Sequence, residues 1–135
     1  MTTLKIKKMR ENAILPQRAT PGSAGLDLCA CIDAPLLLPA RGHAVVPTGI
    51  AIELPEGTAG FVFARSGLGI KHGIALANGV GVIDSDYARS DNEGHIFMRM
   101  TNDNREGKSL IVPSGTAFAQ GIFLPFGITV DDHAQ

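Results

Sequence analysis

Ile74-Ala75-Leu76-Ala77-Asn78-Gly79-Val80-Gly81-Val82-Ile83 holds two short apolar runs, 74–77 and 80–83, around an Asn-Gly pair. Asparagine and glycine both tolerate positive φ, so the pair predicts a two-residue turn between two strands of a hairpin. The same grammar extends outward. Short runs rich in Val, Ile, Leu and Phe occupy 44–52, 60–64, 95–101 and 109–112. Sixteen glycines and eight prolines punctuate them. Pro39, Pro47, Pro55 and Pro113 fall where strand edges or turns are expected, and Pro55-Glu56-Gly57 and Pro113-Ser114-Gly115 read as turns. Few windows carry a 3.6-residue period. Short strands at short spacing predict an all-β sandwich or barrel, with one short helix over Ser66–His72.

The 135 residues predict a single domain over 1–135, long enough to bury its own core. Hydrophobic residues at 44% against 19% charged exclude a disordered chain. A net charge of −1 gives no basic excess for nucleic acid, so neither nucleic acid nor membrane is expected as a partner. No stretch reaches the roughly 18 apolar residues of a membrane span, and no apolar signal core follows the N-terminal lysines. The expectation is cytoplasmic. Cys29 and Cys31 lack the further ligands of a zinc site and read as reduced, packed thiols. The apolar run 121–126 points to burial, between subunits or in a central strand.

The chemistry-bearing residues cluster. Gly81 lets a flat ligand approach the strand, where a base could be read by backbone groups and the Asn78 amide. Asp84 and Asp86, at i and i+2, share a face if the strand continues; they suit a divalent cation or a general base on water. Tyr87 adds a ring, the only tyrosine in the chain. Arg65-Ser66-Gly67 offers donors for an oxyanion, although the P-loop and dinucleotide fingerprints are both absent. Arg65 reads equally as a phosphate contact or as the partner of a buried carboxylate. Asp27, between leucines, requires a partner, and Gln120 is a lone polar group before an apolar run. Taken singly, each of these residues also fits a purely structural role.

Taken in order, these segments resemble the homotrimeric dUTPases. Residues 23–28, 64–68, 78–87 and, more loosely, 115–120 are similar to that family's first four motifs. The resemblance implies a distorted jelly-roll, or β-clip, fold and a homotrimer with shared active sites. It implies Mg²⁺-dependent hydrolysis of dUTP to dUMP and pyrophosphate, which limits uracil in DNA and supplies dUMP for thymidylate synthesis. Asp84 would be the general base for in-line attack of water on the α-phosphorus. Asn78, Gly81 and the Val82–Ile83 backbone would read uracil, with a narrow hairpin excluding the thymine methyl. Tyr87 would stack under deoxyribose. Arg65, Ser66 and Gly67 would hold phosphates, while Asp27 and Gln120 would meet the phosphate-bound Mg²⁺ through water. A dCTP deaminase-type relative and a catalytically weak or inactive nucleotide-binding regulator are the alternative expectations.

Three features depart from the family pattern. The glycine-rich fifth motif does not occur within 1–135: either it follows in a longer chain or the protein lacks it, and a protein without it would be expected to run the chemical step more slowly. Thr116 and Ala117 replace the usual acidic residue and arginine of the fourth motif, which bears on how Gln120 is positioned. The link 88–94 after Tyr87 is longer than the common one and reads as a subgroup loop.

Overall fold

The computed structural model describes residues 3–134. Its strands are β1 (Lys5–Lys8), β2 (Leu26–Cys29), β3 (Leu36–Leu38), β4 (His43–Glu53), β5 (Thr58–Ala64), β6 (Ile74–Leu76), β7 (Gly81–Ile83), β8 (His95–Asn102), β9 (Leu110–Val112) and β10 (Ala117–Pro125). Among the described residues one α-helix, α1, spans Ser66–His72, and a 3₁₀ turn spans Ser85–Arg89. Two four-stranded antiparallel sheets, ordered β1-β4-β8-β6 and β2-β10-β5-β7, carry a separate β3-β9 ribbon. Leu28, Val62 and Phe118 from one sheet meet Val46, Ile50, Met98 and Met100 from the other in one buried cluster. This is the expected all-β, jelly-roll-like architecture.

The long strand β4 is bent in the middle. Its register against β8 shifts between Pro47 and Ala51. Pro47 therefore lies inside a strand rather than at its edge, at an irregularity where a missing N–H is tolerated. Gly49 turns this corner at φ 71°. The Thr48 hydroxyl, buried here, donates to the Ile96 carbonyl at 2.8 Å. At the far end of β8, buried Asn102 donates to the carbonyls of Leu38 (3.1 Å) and Lys108 (3.0 Å), tying the ribbon to the sheet. Among the described residues no buried side-chain polar atom lacks a partner, and no helix is long and apolar enough to cross a membrane.

The expected hairpin at Asn78-Gly79 does not form. β6 pairs with β8 in one sheet, and β7 pairs with β5 in the other. The Asn-Gly pair reverses the chain between sheets instead. Gly79 alone takes positive φ, at 77°, and the Val80 N–H closes a tight turn onto the Asn78 carbonyl at 2.9 Å. The strand also stops before the acidic pair. Asp84 is the N-cap of the 3₁₀ turn and Asp86 lies in its first turn, so the two do not share a strand face.

Candidate active site

Crossing between sheets at residues 77–80 opens a cleft of about 440 Å³ at the sandwich edge. Asn78, Gly81, Val82, Ile83 and Tyr87 all line it. β7 is the last strand of its sheet, so one side of its backbone has no strand partner among the described residues. Free N–H and C=O groups on such an edge are ready donors and acceptors, respectively, for a planar ligand. Gly81 adds no side chain above them; a Cβ there would stand 3.5 Å from that of Val62. Another wall comes from β8, where exposed Phe97 and Arg99 and buried Ile96 and Met98 all line the cleft. Sequence reasoning missed Phe97 and Arg99. Their signal was the in-out alternation of 95–102, which places an aromatic ring and a cation on the outward face.

Tyr87 lines the same cleft. Its hydroxyl donates to the His95 carbonyl at 2.9 Å, and its N–H donates to the Asp84 carbonyl at 3.1 Å. Asp84 stands between Ile83 and Tyr87 in the chain but is exposed and does not line the cleft itself. Its carboxylate makes no capping bond, which leaves it open to water.

A second cleft, of about 300 Å³, gathers Ser23, Gly25, Asp27, Arg65, Ser66 and Gln120. Asp27 on β2 and Gln120 on β10 are register partners. Gly25 explains how Gln120 can lie across β2, since a Cβ there would sit 2.7 Å from Oε1 of Gln120. The Asp27 carboxylate finds the partner its apolar setting demanded, 3.6 Å from Nε of Arg65. Arg65 also donates to the Ala117 carbonyl at 3.2 Å. Ala117 thus holds the arginine through its backbone, a contact that does not depend on its side chain. Both charges remain partly exposed, so the pair orients more than it stabilises. Cys29 lies beside it, and its thiol is pushed up, first by burial and then by the Asp27 charge. Ser66 and Gly67 are exposed at the start of α1, where first-turn N–H groups have no intrahelical acceptor. Gly67 lines neither cleft, and the two clefts share no residue.

A dUTPase family model matches residues 11–133. The chain belongs to the dUTPase family. It is 51% identical over 112 residues to the deoxyuridine 5′-triphosphate nucleotidohydrolase of Desulfitobacterium hafniense, covering 82% of this chain and 70% of that one. It is 45% identical over 138 residues to the enzyme of that name from Burkholderia multivorans, covering 98% of this chain and 88% of that one. The crystal structure of dUTPase from Streptococcus mutans superimposes with a TM-score of 0.81 at 32% identity, over 95% of this chain and 98% of that one.

Proposed function

We propose that this chain hydrolyses dUTP to dUMP and pyrophosphate, with the nucleoside in the 440 Å³ cleft. The observation that carries this reading is the meeting of Asn78, the free edge of β7 and Tyr87 around one opening in a member of this family. The uracil edge pairs with β7 and the Asn78 amide, and the deoxyribose rests on the Tyr87 ring. Asp84 takes a proton from the attacking water. The new P–O bond forms at the α-phosphorus, the bond to the β-phosphate bridge breaks, and pyrophosphate leaves.

The second cleft is the phosphate end. Arg65, positioned by Asp27 and Ala117, still has guanidinium donors for phosphate oxygens. Ser66 and Gly67 add a hydroxyl and first-turn N–H groups. Asp27 and Gln120 supply hard oxygen atoms that suit Mg²⁺ through water. Among the described residues no group of three or more His, Cys, Asp or Glu is placed to hold an ion alone, so an ion carried by the triphosphate fits better than a protein cage. Bound there, it would neutralise phosphate charge. Because one chain presents these two half-sites in separate clefts, a homotrimer with sites shared between subunits is the reading that joins them.

Pyrophosphate release from dUTP, dCTP, dTTP and UTP with Mg²⁺ tests the assignment, with turnover of dUTP alone expected. Binding without turnover would favour a nucleotide-binding regulator, and ammonia release from dCTP would favour a deaminase. Asp84→Asn is expected to keep dUTP affinity and lose about a hundredfold or more in kcat. Affinity lost with kcat retained would remove Asp84 from the role of base.

A further inference from the structure

We propose that Asn92, in the loop 88–94, is a positioning residue that pins the Tyr87 ring and thereby sharpens discrimination at the sugar 2′ position; the proposal rests on reading Tyr87 as the sugar platform. The loop is the one departure after Tyr87 that the function above does not use. It leaves the tyrosine and returns to β8 through a chain of turns: Ser90 N–H to the Tyr87 carbonyl at 3.0 Å, Glu93 N–H to the Ser90 carbonyl at 2.9 Å, and His95 N–H to the Asn92 carbonyl at 3.2 Å. Glu93 and Gly94 both take positive φ, 59° and 82°. Gly94 packs so closely that a Cβ would lie 2.8 Å from Cα of Ala88.

Asn92 is exposed, yet its side-chain amide is fully engaged. Nδ2 donates to the Tyr87 hydroxyl oxygen at 3.0 Å and to the His95 carbonyl at 3.2 Å. Oδ1 accepts from the Ser90 hydroxyl at 2.8 Å and from the Gly94 N–H at 3.1 Å. Two donors and two acceptors exhaust what an amide offers. Fixing an exposed side chain in this way opposes its rotamer entropy, so the bonds hold it against a real cost. The result is a triangle of Asn92, the Tyr87 hydroxyl and the His95 carbonyl, with the Tyr87 N–H tied to Asp84 at the other end. Anchoring at backbone and hydroxyl fixes the long axis of the ring, so the ring as a whole cannot swing aside. A ring whose axis is held cannot move away to make room for an additional oxygen on the sugar resting against it.

The chain has one tyrosine and no tryptophan, so its intrinsic emission reports this ring alone. The test compares the intact chain with Asn92→Ala and Asn92→Asp. The aspartate keeps the acceptors that close the loop onto Ser90 and Gly94 but removes both donors to the triangle. In both variants tyrosine anisotropy is expected to fall and acrylamide quenching to rise. The ratio of UMP to dUMP dissociation constants, measured by calorimetry, should drop about tenfold. Unchanged anisotropy in Asn92→Asp would overturn the clamp, and a loosened ring with an unchanged UMP to dUMP ratio would overturn its role in sugar selection. If the intact chain prefers dUMP to UMP but releases no pyrophosphate from dUTP, the hydrolytic reading falls while the clamp is still judged by these readouts.

Discussion

His95 opens β8 with its ring buried against Phe97, centroids 4.1 Å apart, and Nε2 accepts the Gly49 N–H at 3.1 Å. Only a neutral ring can accept there. Burial first, and the Arg10 charge second, lower its pKa from the ordinary 6.5. The unfolded chain therefore binds a proton at a pH where the folded chain does not. The contribution of His95 to stability is complete above the unfolded value of 6.5 and is lost as pH falls below it, through the folded pKa. Urea unfolding between about pH 5 and pH 8 should show stability declining on the acid side. His95→Gln, which keeps a neutral acceptor, should flatten that slope, and equal slopes in the two proteins would remove His95 as its source. The same residue connects stability to the site, since its carbonyl receives the Tyr87 hydroxyl and its ring backs Phe97 in the cleft wall.

Glycines at two bends show which parts of an element are set locally and which by packing. Gly49, in the β4 irregularity, has φ 71°, and a Cβ there would lie 2.7 Å from Sγ of Cys31 and 2.9 Å from Cβ of Ala13. Gly79 has φ 77° with open space around it. Gly79→Ala should cost about 1 kcal/mol of backbone strain, whereas Gly49→Ala adds overlap in the core and should cost about 2–4 kcal/mol. Equal shifts in the urea midpoint would contradict the difference in packing. The sequence was legible to the same depth. Apolar runs bounded by Gly and Pro located β4 to β9, and α1 falls on the expected Ser66–His72. Lys5–Lys8, mostly charged, and the three-residue β3 carry no such pattern, and β1 is a strand only because β4 pairs with it. The reversal at Asn78-Gly79 was legible, but its pairing was not: β8 claims one side and β5 the other through contacts distant in sequence. Asp84-Ser85-Asp86 followed the local preference of Asp and Ser for turns and caps over strands. The candidate site residues stand out by their types one by one. Their division between two clefts does not, because strand order sets it.

That division governs the behaviour of the whole molecule. The clefts proposed for the nucleoside and for the phosphates share no lining residue, although on that proposal one dUTP must reach both. Beyond the middle of β10 the chain also exposes Leu124 at 49%, Phe126 at 50%, Ile128 at 72% and Val130 at 100%. An apolar run this exposed fits burial against another copy better than contact with water. Sedimentation should show a trimer, and Leu124→Ser with Phe126→Ser should weaken it and reduce dUTP turnover together. A complementation experiment decides how the halves combine. On the proposed reading, Asp84→Asn removes the base carried on the segment between Ile83 and Tyr87 of one half, and Arg65→Ala removes a phosphate contact of the other, so each protein alone should be nearly inactive. If each active site takes one half from each of two subunits, exchange of equal amounts restores both intact halves at about one site in four. Activity recovering towards about a quarter of the unmodified protein is the expected result. Trimers that exchange subunits without regaining activity would place both halves of each site within one chain, and the exposed C-terminal run would then serve assembly without serving catalysis.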